Sequence, residues 1–209
     1  MRARNPHLLF LIVPAFAMVF AGACGGGGEM AEPEPEPVEE APAEAAAPME
    51  MLGGGNATLV HEGQAGSPHV SVQWTVGEGN ISITYGRPYL RDRVVGESVE
   101  PMADRVWRLG ADEATTLVTD REIMLGGETI PAGEYTLWTM QTGDEFHLVV
   151  NSETGQWGTN YNSENDVAHI PMEVGELDPP ADQLVISVDD DSLGFDWGAM
   201  TASVSLMVH

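Results

Sequence analysis

The chain of 209 residues has one cysteine and no lysine, and its eight basic residues are all arginines. With a single cysteine it cannot form an internal disulfide, so a stable fold has to come from a buried apolar core. Against these few cations stand 33 acidic residues, which give a formal net charge of -25. A surface of this kind repels phosphate backbones and anionic lipid headgroups. We therefore expect neither nucleic acid nor electrostatic membrane docking among its partners.

The excess of carboxylates has two interpretations. Dense carboxylates keep a surface hydrated, and salt screens their mutual repulsion, which is consistent with a protein adapted to a saline habitat. Carboxylate clusters can also capture cations such as calcium. We favour the first interpretation; a calcium-dependent rise in melting temperature at constant ionic strength would favour the second.

Residues 1–23 have the pattern of a signal peptide. Arg2 and Arg4 precede an apolar run at 8–20, which is short for a transmembrane helix. The next residues, Ala-Gly-Ala-Cys, end at Cys24, the single cysteine of the chain. This arrangement resembles the lipobox of bacterial lipoproteins, in which the cysteine is linked to diacylglycerol and becomes the mature N-terminus. The resemblance implies that a lipid is attached at Cys24 and that this lipid anchors the protein to a membrane.

Neighbouring residues bear on the destination of the exported chain. Ala21 and Ala23 also satisfy the Ala-x-Ala pattern of an ordinary signal peptidase site, so cleavage without lipidation is the alternative. Gly25 follows the cysteine in place of aspartate. By resemblance to lipoprotein sorting in bacteria with two membranes, this implies the outer membrane, on its periplasmic or surface face. We expect an exported protein that is lipid-anchored to the cell envelope.

Residues 24–55 have the composition of a disordered acidic tether. Glycine runs lie at both ends, and between them glutamate alternates with proline, a pattern typical of an extended spacer stiffened by charge repulsion. Such a segment contains too little apolar surface to build a core. The folded domain is therefore predicted at 56–209.

Beyond the tether, short runs of alternating apolar and polar residues are separated by Gly, Asn, Asp and Pro. This period of two predicts strands, and no segment has sustained helical periodicity. Turn residues at 77–79, 126–127 and 143–144 predict antiparallel hairpins. We expect a single all-β domain, built as an antiparallel β-sandwich or a flattened barrel. The predicted strands are 70–76, 80–85, 115–119, 122–125, 133–140, 145–151, 168–174, 183–188, 192–197 and 201–208.

The segment 86–112 interrupts this pattern. It is long and irregular, and it holds five of the eight arginines. Long loops in small domains are commonly functional. Because cations are so scarce in this chain, we expect these arginines to have carboxylate partners or an anionic ligand.

From about Ser67 to the C-terminus, the chain resembles the bacterial domain-of-unknown-function family 2911. Members look like exported or lipid-anchored proteins with one β-rich domain, and the family supplies no established catalytic residues. Asp112 stands where asparagine is usual, and His147 stands where threonine is more common. The motifs that carry the resemblance, in order, are SPHVSVQW, ITYGRPYLRDRVVG, VWRLGADEAT, IPAGEYTLWTM, FHLVVN, WGTNY and DVAHIPM.

Residues of these motifs suggest a ligand pocket. In this hypothesis Arg87, Arg105 and Arg108 hold an anionic or polyhydroxyl ligand over Trp107 and Trp157. The alternative, which we favour, is a buried network in which Arg108 forms a bidentate pair with Glu113 and the tryptophans belong to the core. The candidate ligand-binding residues are Tyr85, Arg87, Arg105, Trp107, Arg108, Glu113, Asn151, Trp157 and Tyr161.

Other chemistry has weaker support. His61, His69, His147 and His169 show no metal-ligand spacing, so we expect no metal and no cofactor. The serines lack a Gly-x-Ser-x-Gly motif, and no catalytic residue is assigned. Pairs of carboxylates are inevitable in so acidic a chain and carry no weight by themselves.

These observations predict a membrane-anchored envelope lipoprotein whose domain is a non-enzymatic binding or envelope-interaction module. Its expected partner is a small polar or anionic ligand or another envelope protein. A carboxylate-based hydrolase or isomerase, with its site at the arginine-rich segment 86–112, is the alternative. A purely structural interaction protein is a third.

Overall fold

The domain is described by a computed structural model for residues 50–209. The predicted signal peptide, Cys24 and the tether up to residue 49 lie outside the described residues. Within 50–209 there are thirteen strands and one turn of 3₁₀ helix at Ser163–Asn165. The strands are β1 (Glu50–Leu52), β2 (Gly55–His61), β3 (His69–Val76), β4 (Gly79–Gly86), β5 (Val106–Trp107), β6 (Ala111–Thr119), β7 (Ile123–Leu125), β8 (Glu128–Ile130), β9 (Gly133–Thr142), β10 (Glu145–Asn151), β11 (Asp166–Pro171), β12 (Glu173–Val188) and β13 (Ser192–Val208).

The strands form two antiparallel sheets. The larger has nine strands. Eight follow the order β1-β2-β3-β4-β6-β9-β10-β11, and β5 pairs with the part of β9 that lies beyond the C-terminal end of its pairing with β6. The smaller has the order β12-β13-β7-β8. Buried residues of both sheets share one hydrophobic core, and the sheets remain open. The all-β prediction is confirmed, and of its two forms the β-sandwich is the one observed.

Alternation of side chains explains how the sheets pack. In β3, Val70, Val72 and Trp74 are buried, whereas Gln73 and Thr75 between and beyond them are exposed. A strand with one apolar face is stable only when that face is covered. Each fully buried Val or Leu side chain contributes roughly 1.5–3 kcal/mol relative to an exposed one. The smaller sheet provides the cover for this face.

Hairpin turns lie at all three predicted positions. They join β3 to β4, β7 to β8 and β9 to β10. Several strand boundaries differ from the prediction. The segment 168–174 is divided at Met172 between β11 and β12, and 192–197 and 201–208 form one continuous strand, β13, that pairs with β12 along both parts.

The folded part begins before the predicted boundary at residue 56. Strand β1 lies within the segment assigned to the tether, and it pairs with β2 through a turn at Gly53 and Gly54. Gly53 has a φ of 54°, and a Cβ there would lie 2.1 Å from the carbonyl oxygen of Ile186. The glycine run therefore makes a tight hairpin against β12, not a free joint. Strands β2, β5 and β8 are also absent from the prediction.

The irregular segment between β4 and β5 lies against the smaller sheet. The backbone N–H of Leu90 donates to Asp182 O, and Leu184 N–H donates to Pro88 O. The indole N–H of Trp197 donates to Glu100 O at 2.8 Å. These bonds fix the segment across β12 and β13. Among residues 50–209, no helix has the length and apolar character needed to cross a membrane.

Candidate functional site

A strained turn, from Leu109 after β5 to Asp112 at the start of β6, lines the site. Leu109 and Asp112 both have left-handed backbones, with φ of 50° and 62°. For residues other than glycine, this conformation costs roughly 1–3 kcal/mol and persists only where tertiary contacts enforce it. Here Leu109 is completely buried, its carbonyl accepts from Thr115 Oγ1 at 2.9 Å, and Gly110 O accepts from the Trp107 indole at 3.1 Å.

This turn lines a cleft of about 550 Å³. The opposite walls come from residues 64–67 and 88–93, and Trp197 of the smaller sheet lies at its inner side. Three arginines and two aspartates line the cleft, in a chain where acidic residues outnumber basic ones by 33 to 8. The charged lining residues are Arg91, Asp92, Arg93, Arg108 and Asp112.

Arg108 is the most unusual of these residues. Its side chain is partly buried, and Nη1 donates a long hydrogen bond of 3.4 Å to Gly158 O. Its Nε is buried without a partner, and within residues 50–209 no carboxylate forms an ion pair with it. Burial lowers the pKa of Arg108, and the charges of Asp112, Glu100 and Glu113 oppose that shift. The guanidinium remains a cation with unused donors.

Gly158 makes room for Arg108. A Cβ at this position would lie 1.8 Å from Arg108 Cδ and 2.6 Å from Asp112 O. Since a side chain of any size would displace the arginine, the glycine fixes where the guanidinium lies. The backbone of Gly158 also donates to Asp112 O at 3.0 Å. Thus the segment after β10 clamps the strained turn.

The predicted pair between Arg108 and Glu113 is not formed. The left-handed backbone at Asp112 changes the direction of the chain. An antiparallel β-bridge between Glu113 and Trp157 then fixes the position of Glu113. Glu113 then approaches two histidines: its Oε2 lies 2.9 Å from His69 Nε2. The buried Arg–Glu network that we favoured from the sequence is therefore wrong.

Three other predicted site residues serve different contacts. Tyr85 is buried, its hydroxyl accepts from Ile186 N–H at 3.0 Å, and burial raises its pKa. Arg87 Nε donates to Leu184 O at 3.1 Å. Arg105 is exposed and pairs with Glu100 at 2.7 Å. The structure thus places Arg87 and Arg105 outside the cleft lining.

The remaining candidates lie near β10 and β11. Asn151 is buried and donates to Asp166 Oδ1 at 2.8 Å. The Tyr161 hydroxyl donates to Asp166 Oδ2 at 2.5 Å, and burial together with Asp166 raises the pKa of Tyr161. Trp157 is 37% exposed and does not line the cleft. Of the nine candidates, only Trp107 and Arg108 line the cleft.

Sequence reasoning missed a group formed by His61, His69, Asp112 and Glu113. His61 ends β2 and His69 begins β3, and the two are directly paired across these strands. Their rings are stacked, with the ring centroids 4.3 Å apart and an interplanar angle of 16°. A signal existed in the sequence: two histidines flank the turn-rich run Glu-Gly-Gln-Ala-Gly-Ser-Pro. Because the sequence does not predict a strand at 55–61, it does not predict the hairpin between β2 and β3 either.

Comparison with known proteins identifies one family. No curated protein and no solved structure matches the chain. The family model described as "Protein of unknown function (DUF2911)" matches residues 67–206, which include β3 to β12, most of β13, the cleft arginines and the strained turn. The chain therefore belongs to the DUF2911 family.

Proposed function

We propose that this protein is an envelope lipoprotein, anchored through Cys24, whose β-sandwich binds a small anionic ligand in the cleft at the β5–β6 turn. The observation that carries the binding proposal is Arg108, a partly buried cation that lines the cleft and forms no ion pair within residues 50–209. A guanidinium binds carboxylate or phosphate through two parallel hydrogen bonds. An anion in the cleft would supply hydrogen-bond acceptors and a countercharge for the Arg108 guanidinium.

The charge around Arg108 favours a small anion. Arg91 and Arg93 also line the cleft, and Asp92 and Asp112 offset part of their charge. Arg93 is held by the carbonyl oxygens of Leu90 and Tyr89. Outside the cleft, the strongly acidic chain repels polyanions over distances of about a Debye length, roughly 8–10 Å. A compact ligand with one or two negative groups is therefore favoured over a nucleic acid or an anionic membrane.

The cleft also offers apolar surface. Among its lining residues, Tyr89 carries an aromatic ring and is 45% exposed, whereas Trp107 and Trp197 are almost fully buried. Its volume of about 550 Å³ lies within the range of roughly 300–1,000 Å³ that is common for small-molecule sites. We infer a ligand with a carboxylate or phosphate on a partly apolar or ring-shaped body.

The anchor can be tested separately from the cleft. Wild-type protein produced in a bacterial host with a lipoprotein pathway should partition into the detergent phase of a Triton X-114 extraction. Cys24→Ser should move it to the aqueous phase, because several acyl chains, each contributing about 0.8 kcal/mol per buried CH₂, are lost. A Cys24→Ser protein that still enters the detergent phase would contradict the anchor.

The cleft is tested with three probes: succinate, inorganic phosphate and glucuronate. Thermal unfolding and intrinsic tryptophan fluorescence are recorded during titration at constant ionic strength. At least one probe should raise the melting temperature, since a ligand at 100 times its Kd stabilises by about 2.7 kcal/mol. Arg108→Gln should remove the shift. Arg121→Gln changes an exposed arginine that does not line the cleft and should retain it. No shift with any probe, or an equal shift in both variants, would contradict the proposal.

A further inference from the structure

We propose that His61, His69 and Glu113, which lie next to Asp112, bind a divalent transition metal ion of the zinc type. The ligands come from three strands: His61 ends β2, His69 begins β3, and Glu113 lies near the start of β6. Pairing of His61 with His69, and of Gly86 with Ala111, brings these strand ends to one corner of the larger sheet. This proposal does not depend on the anion-binding cleft.

The distances between the donor atoms fit one small ion. His69 Nε2 lies 2.9 Å from Glu113 Oε2 and 3.5 Å from Asp112 Oδ2. His61 Nε2 lies 3.7 Å from Glu113 Oε1. Zinc bonds to nitrogen and oxygen of about 2.0–2.1 Å in a tetrahedron place neighbouring donors about 3.3 Å apart. The observed distances lie on both sides of this value, so the donors can converge on an ion with small adjustments.

Two of these donor atoms lack a partner among the described residues. His69 is 2% exposed, and its Nε2 is buried without a hydrogen bond. Glu113 Oε2 is likewise buried without a hydrogen bond, although His69 Nε2 is only 2.9 Å away. The two atoms are close but not aligned for a hydrogen bond. Buried polar atoms are normally satisfied, and a shared metal ion would satisfy both lone pairs at once.

The chemistry of the donors selects the ion. Two imidazoles and carboxylates suit zinc and neighbouring first-row metals, whereas calcium and magnesium prefer all-oxygen sites. A neutral imidazole is the form that binds a metal. The two carboxylates would balance the charge of a divalent ion.

One hydrogen bond beside the cluster positions Asp112, and another has to break when the metal binds. Asp112 Oδ2 accepts from Gln64 N–H at 2.7 Å. His61 Nδ1 accepts from Gly63 N–H at 3.1 Å. When Nε2 of His61 binds a metal, the proton of the neutral ring lies on Nδ1, so the contact with Gly63 is given up. We therefore expect the Gly63 amide resonance to move on metal binding.

The experiment uses the full-length chain in detergent, without a polyhistidine tag, after treatment with a chelator. Zinc binding is measured by isothermal titration calorimetry and by competition with a chromophoric chelator. Cobalt is used as a spectroscopic substitute. We expect one saturable zinc site, with an intense visible cobalt spectrum typical of four-coordination. Millimolar calcium should not compete for it.

Three variants isolate the site. His61→Gln and Glu113→Gln change residues whose side chains are 46% and 44% exposed, and each should weaken zinc binding at least tenfold. The control is His169→Gln, because His169 is 43% exposed and also contacts a carboxylate, Asp166, yet lies outside the cluster. It should bind zinc as the wild type does. Circular dichroism and melting temperature verify that each variant is folded.

Two results would overturn the metal site. One is the absence of saturable zinc binding in the wild type, and the other is unchanged affinity in both His61→Gln and Glu113→Gln. Arg108→Gln should keep its zinc affinity. Failure of the anion probes with intact zinc binding therefore rejects the cleft ligand alone, and the reverse result rejects the metal alone.

Discussion

Two clusters of histidine and carboxylate lie in the larger sheet, and they differ in how completely they are satisfied. At Asp166, Oδ1 accepts from Asn151, and Oδ2 contacts the Tyr161 hydroxyl and His169 Nε2 at 2.5 and 2.8 Å. At Glu113, by contrast, Oε2 and the neighbouring His69 Nε2 are buried without hydrogen bonds. A satisfied buried network stabilises the fold. An unsatisfied one indicates that a further group belongs there.

The largest expected effect is at the satisfied cluster. Asp166→Ala leaves Asn151 Nδ2 and the Tyr161 hydroxyl without their acceptor, and the Asp166 side chain is only 8% exposed. We expect a loss of about 3–5 kcal/mol in the free energy of unfolding. Urea denaturation measures it. A loss below about 1 kcal/mol would show that this network does not stabilise the fold.

Tyr161→Phe tests one bond of the same network. It should lower the free energy of unfolding by about 1–2 kcal/mol at neutral pH. The pKa of Tyr161 is raised in the folded state, so its hydrogen bond contributes fully below the ordinary value of 10.0 and less as the pH rises above it. The difference between wild type and variant should therefore narrow in alkaline solution. Unfolding curves at pH 7 and above pH 10 test this, and a constant difference would contradict it.

At the unsatisfied cluster, replacing the carboxylate should matter less for stability. Without metal, Glu113→Gln removes a charge that makes no hydrogen bond through its buried oxygen. We expect a change of less than about 1 kcal/mol in the free energy of unfolding. Denaturation in the presence of a chelator is the measurement. A loss as large as that of Asp166→Ala would mean that the two clusters have the same structural role.

The smallest effect is expected at an exposed carboxylate. Asp120 accepts from the backbone and the side chain of Asn80, both at 2.7 Å, and these bonds lower its pKa from the ordinary 3.8. Its contribution is present above that value and is lost as the pH falls through the lower folded pKa. Asp120→Asn should thus reduce the acid dependence of stability only below about pH 4. Unchanged acid unfolding would contradict it.

The sheet architecture was predictable because its signals are local. The runs at β3, β4 and β10 alternate within the strand, and turn residues separate the hairpins. Strand β2 was missed because only two of its residues, Gly55 and Ala57, are buried. Its alternation is therefore weak in the sequence, and it follows a glycine run that resembles a linker.

The site was predictable only in part. Trp107 and Arg108 were identified as candidates because a motif and a scarcity of cations drew attention to them, and they do line the cleft. The approach of Glu113 to His61 and His69 depends on the left-handed backbone at Asp112 and on pairing of remote strands. Neither feature has a local pattern, so residue spacing alone could not reveal the cluster.

The hydroxyl of Tyr85 binds the backbone of Ile186 in the opposite sheet, and Arg87 binds Leu184 beside it. These two hydrogen bonds between the sheets oppose any sliding of one sheet over the other. Trp107 and Trp197 line the cleft from different sheets, and these two hydrogen bonds help to fix the relative position of those sheets. A ligand would therefore bind to a preorganised cleft, and its affinity would not be reduced by the free-energy cost of ordering the site.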